Sequence, residues 1–192
     1  MLEGRVAGIR FRVSLLFPAL LTGLLLAQED SLAVSCVLAS AMHEGGHLLA
    51  MVALGCPPHT CTLGAFGIRL EMGAHHPVGY GRNILVSLAG PTVNVVTAGV
   101  LVLCGCLRAA MVHGILAALN LLPAAALDGG QILRCICCLC GQEERADSWL
   151  RLLSAAVLLP LATAAFWLVL SAQGNATLLL VSGYLVALIF FH

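Results

Sequence analysis

A series of long apolar runs constrains this chain more than any other feature of its sequence. Crossing the hydrocarbon core of a bilayer takes about 20 apolar residues in a helix. Six segments approach that length: residues 11–28, 32–54, 84–107, 109–127, 149–171 and 175–191. These runs predict an all-α polytopic membrane protein with about six transmembrane helices.

The composition agrees with a bilayer as the solvent. Charged residues make up 9% of the chain and hydrophobic residues 60%, whereas soluble domains carry about 25% charged residues. A water-soluble fold of 192 residues could not cover so much apolar surface. The formal net charge is zero, so nothing electrostatic favours nucleic acid as a partner. The expected partner is the lipid bilayer.

The arginines predict the orientation in the membrane. All nine basic residues are arginines, and positive residues accumulate in cytoplasmic loops. With a cytoplasmic N-terminus, eight of them lie in cytoplasmic segments and only Arg108 lies on the opposite side. An even number of spans then places both termini in the cytoplasm.

Residues 55–83 form the longest stretch without an apolar run. The alternation from Gly67 to Gly73, flanked by glycines, predicts a short β-hairpin at the membrane surface after the second span. The stretch is either a connecting loop or an edge strand that pairs with an extended substrate. We expect one domain, residues 1–192.

Nine cysteines do not predict a disulfide framework, because most lie in apolar or cytoplasmic segments. Four of them cluster between Cys135 and Cys140. A zinc or iron site is one interpretation, but no second, distant pair completes a tetrahedron. We therefore expect small buried apolar residues there.

The second span carries a His-Glu-x-x-His pattern, His43, Glu44 and His47. Positions i and i+4 lie on one face of a helix, so both imidazoles can bind one Zn²⁺. Glu44 is placed to accept a proton from the water that the metal activates. A carboxylate within the hydrocarbon is by default a functional hypothesis. The alternative is a buried polar cluster that packs helices.

A catalytic zinc ion needs three protein ligands and one open position. Asp128 is the candidate third ligand, because only Glu44 and Asp128 among nine acidic residues fall within or at the end of a predicted span. Pro123 removes a backbone hydrogen bond, and Gly129 and Gly130 loosen the chain, so the carboxylate can turn inward from an irregular helix end. The alternative for Asp128 is a helix cap.

Three motifs occur in the order seen in site-2 proteases, the intramembrane zinc metalloproteases. They are His43-Glu44-x-x-His47, Ala89-Gly90-Pro91-x-x-Asn94 and Asn120-x-x-Pro123-x-x-x-Leu127-Asp128-Gly129-Gly130. The chain resembles this family over most of residues 31–135. Its short six-span form is most similar to the bacterial stage IV sporulation protease branch, although we expect neither a CBS nor a PDZ domain.

The resemblance implies zinc as the cofactor, with His43, His47 and Asp128 as ligands and Glu44 as the general base. The implied enzyme is a zinc metalloendopeptidase of regulated intramembrane proteolysis, active in or near the transmembrane segment of a membrane-associated regulatory protein. A pro-sigma factor or an anti-sigma factor fits that description, and membrane regulatory proteins would be further partners. The implied location is the bacterial inner membrane.

Two asparagines of these motifs are candidate substrate-binding residues. Asn120 would hold the substrate backbone or an oxyanion, or would pack helices. Asn94 would contact substrate or pack the bundle near the site. Two other functions compete with the protease: a membrane metal transporter that uses the same ligands transiently, and a non-catalytic relative that binds membrane partners. No inverted repeat supports the transporter.

Overall fold

The computed structural model describes residues 2–6, 9–13, 32–58, 60–64, 67–71, 79–125 and 127–171. These residues form four strands and five helices. The strands are β1 (Leu2–Val6), β2 (Ile9–Val13), β3 (Thr60–Gly64) and β4 (Gly67–Glu71). The helices are α1 (Leu32–Ala53), α2 (Tyr80–Leu103), α3 (Leu107–Asn120), α4 (Asp128–Leu139) and α5 (Glu143–Ser171).

The chain divides into two compact units. The N-terminal unit, Met1–Ala118, holds the strands, α1, α2 and most of α3. The C-terminal unit, Leu119–His192, holds α4 and α5. The sixth predicted span, residues 175–191, lies outside the described residues, and so does the first predicted span beyond Val13.

The strands form one sheet in the order β1-β2-β3-β4. The β1–β2 and β3–β4 pairs are antiparallel, and β2 pairs with β3 in parallel. The β3–β4 hairpin lies within the stretch where a hairpin was predicted, while its place at the membrane surface stays a prediction. The all-α class is thus incomplete. The alternation Ile9-Arg-Phe-Arg-Val13 has the period-two pattern of a strand, although its last three residues were assigned to the first span.

Two helices are long and apolar enough to cross a membrane in the described part of the chain, at Val34–Ala53 in α1 and Tyr80–Leu103 in α2. Only 28% of the apolar stretch of α1 and 22% of that of α2 is buried, whereas the core helix of a soluble protein is mostly buried. Large aliphatic side chains such as Leu49 and Val96 are exposed. This outward apolar surface is what a helix in contact with lipid presents. A total of six spans stays a prediction.

Helices α1 and α2 pack closely because both carry glycine at their contact. A Cβ built at Gly46 of α1 would lie 2.9 Å from the carbonyl oxygen of Ala89 and 3.1 Å from Gly90 Cα. Small residues at a helix contact allow backbones to approach this closely in membranes. Met51, Cys56 and Val86 form a buried apolar cluster in the same unit.

The predicted fourth span, residues 109–127, is wrong at its C-terminal end. Helix α3 ends at Asn120, and Asp128 is the first residue of the separate helix α4. Between them Pro123 lacks the backbone N–H that would continue a helix. Gly129 and Gly130 do more than loosen the chain: Cβ atoms there would collide with the carbonyl oxygens of Leu121 and Ala124, respectively.

Helices α4 and α5 pack against each other in the C-terminal unit. The turn between them contains Gly141 at a φ of 72°, a conformation that favours glycine. An exposed ion pair joins Arg134 to Asp147 at 3.2 Å. The backbone N–H of Ala125 donates to Ser154 Oγ at 2.8 Å, which fixes the irregular segment that leads into Asp128.

Candidate metal centre

The two histidines of α1 face each other across one turn of the helix. The Nε2 atoms of His43 and His47 lie 3.1 Å apart, and both side chains are buried. Tetrahedral zinc, with Zn–N distances of about 2.0–2.1 Å, separates two nitrogens by about 3.3 Å. The observed pair is within a few tenths of an ångström of that separation, so the two imidazoles fit a shared metal ion.

A backbone carbonyl fixes the tautomer of His47. Its Nδ1 lies 2.8 Å from the carbonyl oxygen of Val86 in α2. A carbonyl can only accept, so His47 Nδ1 carries the proton and donates it. The lone pair is therefore on Nε2, the atom that faces His43, as a metal ligand requires.

Asn94 of α2 lies directly behind His43. The side-chain amide nitrogen of Asn94 is 3.1 Å from His43 Nδ1, and its amide oxygen is 3.1 Å from Nδ1 of His113 in α3. Asn94 is fully buried and His113 almost so. Both ends of the Asn94 amide lie within hydrogen-bonding distance of an imidazole, which favours the alternative in which Asn94 packs the bundle near the site; a role in substrate binding stays a prediction.

Gly90 provides the space for the imidazole pair. A Cβ at this position would lie 2.9 Å from His43 Cε1 and would collide with His47 Nε2. The Gly90-Pro91 step of α2 therefore serves the site directly, in addition to allowing the helices to approach.

The remaining predicted site residues lie as follows. Glu44 is half-buried in α1, next to His43. Asn120 is the last residue of α3, and Asp128 opens α4; both are half-buried and belong to the C-terminal unit. The roles of Asp128 and Asn120 stay predictions.

The cysteine cluster of α4 is not uniformly buried as expected. Cys135 is buried, Cys137 and Cys138 are partly buried, and Cys140 is exposed. Burial, with a further contribution from Cys138, raises the pKa of the Cys135 thiol, and Arg134 opposes the shift. Among the described residues, these cysteines do not come together as a group that could hold a metal ion.

Sequence reasoning missed His113. Its position fits no ligand spacing, and its partner Asn94 is 19 residues away on another helix. The available signal was a histidine within an apolar segment, which is a functional hypothesis by default.

Comparison with known proteins supports the fold. No protein-family model matches the chain, and no curated protein sequence matches it significantly. A solved structure, the site-2 protease from Methanocaldococcus jannaschii, is similar with a TM-score of 0.65 and 20% sequence identity. The similarity covers 98% of this chain and 92% of that one. Together with the apolar helices, it supports a membrane protein with the fold of a site-2 protease.

Proposed function

We propose that this protein is a zinc-dependent intramembrane endopeptidase. The observation that carries the proposal is the pair of buried imidazoles, His43 and His47, whose Nε2 atoms converge to 3.1 Å beside Glu44 in an apolar helix. The fold shared with a site-2 protease supports the same conclusion. A helix-packing cluster would not need two imidazole nitrogens directed at one point.

The metal would be held by His43, His47 and Asp128, each of which offers one ligand atom. Two imidazoles and one carboxylate are a donor set found in catalytic zinc sites, which keep a fourth position open. When bound, Zn²⁺ supplies Lewis acidity, which polarises a carbonyl and makes water acidic near neutral pH.

Glu44 is the proton carrier in this proposal. It follows His43 directly on α1 and is half-buried, which is the position of the general base in a His-Glu-x-x-His pattern. It accepts a proton from the attacking water and returns it to the leaving amine. Asn120 would hold the substrate backbone or the developing oxyanion.

The substrate would be a membrane-associated regulatory protein, cleaved in or near its transmembrane segment. A helical substrate hides its carbonyls in hydrogen bonds, so it must unwind before attack. Strand β4 supports this idea: it lies at one edge of the described sheet and pairs with β3. An edge strand can bind an extended peptide through backbone hydrogen bonds.

The cellular setting follows from the same proposal. The enzyme would be a multi-pass protein of the bacterial inner membrane with both termini in the cytoplasm. A pro-sigma factor in sporulation, or an anti-sigma factor, would be the substrate, and membrane regulatory proteins would control cleavage.

The variant Glu44→Gln tests the enzyme. The variant should retain zinc, because the ligands remain, while cleavage of a single-span membrane reporter falls by about 100-fold or more for lack of a proton acceptor. Zinc is measured on the purified protein by metal analysis. The exposed Glu144 of α5 provides the control Glu144→Gln, which should cleave like the parent. Cleavage by Glu44→Gln at the parental rate would refute the mechanism.

A further inference from the structure

A continuous line of hydrogen-bonding groups runs through the N-terminal unit behind the imidazole pair. It begins at His113 Nδ1, passes through the Asn94 amide to His43 Nδ1, crosses from His43 Nε2 to His47 Nε2, and ends at the carbonyl of Val86. Each step is 2.8–3.1 Å long. All four side chains are at most 8% exposed, so water does not replace these contacts.

The direction of donation along this line is fixed from its carbonyl end. Because His47 Nδ1 donates to Val86, His47 Nε2 accepts, and a neutral His43 donates to it from Nε2. His43 Nδ1 then accepts from the amide nitrogen of Asn94. The amide oxygen of Asn94 accepts in turn from His113 Nδ1. Each of the four contacts thus joins a donor to an acceptor, and His43 Nε2 carries a proton.

A metal ion at the imidazole pair needs the opposite arrangement. A ligand nitrogen must be unprotonated, and the ligand's other ring nitrogen donates to an acceptor. The His43 proton must then be on Nδ1, and Asn94 must turn its amide oxygen towards it. The amide nitrogen now points at His113 Nδ1, which has to accept and carry its own proton on Nε2.

We propose that His113 is a positioning residue whose change of tautomer allows Asn94 to turn and His43 to become a metal ligand. The inference rests on the proposed metal site. Imidazole suits this place because its Nδ1 can either donate or accept. A leucine there would leave one end of the buried amide without a partner in both orientations, which is unfavourable.

Nuclear magnetic resonance of the parent protein tests the tautomer directly. With ¹⁵N-histidine in the purified full chain, addition of Zn²⁺ should change His113 from the Nδ1–H to the Nε2–H tautomer. The signal is assigned by its loss in His113→Gln. If His113 keeps its metal-free tautomer when zinc binds, the inference is wrong.

Zinc affinity, measured by chelator competition, provides the second test. Groups that hold a metal ligand typically change affinity by about 10- to 100-fold. We expect His113→Leu, one step further from the metal, to weaken zinc binding about 10-fold. His113→Gln should restore it to within about 3-fold of the parent, because its amide can also donate or accept. The exposed Ile115 of the same helix provides the control Ile115→Ala, which should bind zinc like the parent.

The results separate this inference from the proposed function. If the parent binds zinc and cleaves its substrate while His113→Leu binds zinc equally tightly, only the role of His113 is refuted. If the parent binds zinc with the expected tautomer change but hydrolyses no peptide, the role of His113 stands and the protease does not. A parent that binds no zinc would refute both.

Discussion

Replacing Gly90 by alanine places one methyl group against both candidate ligands. The added Cβ would lie 2.9 Å from His43 Cε1 and closer still to the His47 ring. Carbon atoms in good contact are about 3.5–4.0 Å apart, so His43 would have to move by about 0.6 Å and His47 further. His47 cannot turn away freely, since its Nδ1 is bonded to the carbonyl of Val86 at 2.8 Å.

The size of the effect follows from that crowding. Forcing an extra methyl group into a packed site costs about 1–3 kcal/mol. The displaced atoms belong to the imidazole rings of the two candidate ligands, His43 and His47. We therefore assign this free-energy cost to the metal-bound form. At about 1.4 kcal/mol per factor of ten, Gly90→Ala should weaken zinc binding by about 5- to 150-fold. Peptide hydrolysis at limiting zinc should fall with it.

Chelator competition on the purified variant measures the zinc affinity, and the cleavage of a membrane reporter is followed at low and at saturating zinc. Gly99 lies on the same helix, and no described atom comes within 4 Å of a Cβ built there. Gly99→Ala is therefore the matched control and should bind zinc like the parent. Zinc binding by Gly90→Ala within twofold of this control would contradict the assignment of the imidazole pair as ligands.

The other predictions concern the third ligand and the topology. Asp128→Ala should lose both bound zinc and peptide hydrolysis. The control Asp147→Ala, which removes only an exposed ion pair with Arg134, should retain both. Stoichiometric zinc and activity in Asp128→Ala would place the third ligand elsewhere. In intact cells, an impermeant maleimide should label the exposed Cys104 and Cys106 and leave the exposed Cys140 unlabelled. The reverse pattern would invert the orientation derived from the arginines.

The local part of the site could be predicted from the sequence. An i, i+4 pair on a helix has one geometry, so the spacing of His43 and His47 was enough to bring their rings together. The partners behind the pair could not be found this way. Asn94 is 51 residues from His43 and His113 a further 19 residues away, and no local periodicity encodes a contact between three helices.

The two errors in the predicted fold have a different cause, which is that apolar residues were counted without regard to local signals within the runs. Counting apolar residues from position 11 joined the end of β2 to a span, although the alternating arginines of Ile9–Val13 indicate a strand. The apolar run at 109–127 was counted as one span to its last residue, although Pro123 within it predicts a break in the helix. The structure ends α3 at Asn120, before that proline.

The parallel pairing of β2 with β3 has a consequence for synthesis of the chain. Its partners, such as Arg10 and Thr60, are 50 positions apart, with all of α1 between them. At about 5–20 residues per second, β3 leaves the ribosome about 3–10 s after β2. During that interval the β1–β2 hairpin is an isolated two-stranded unit, marginally stable and with an open edge. The sheet can therefore be completed only after synthesis of α1, the helix that carries the candidate metal ligands His43 and His47.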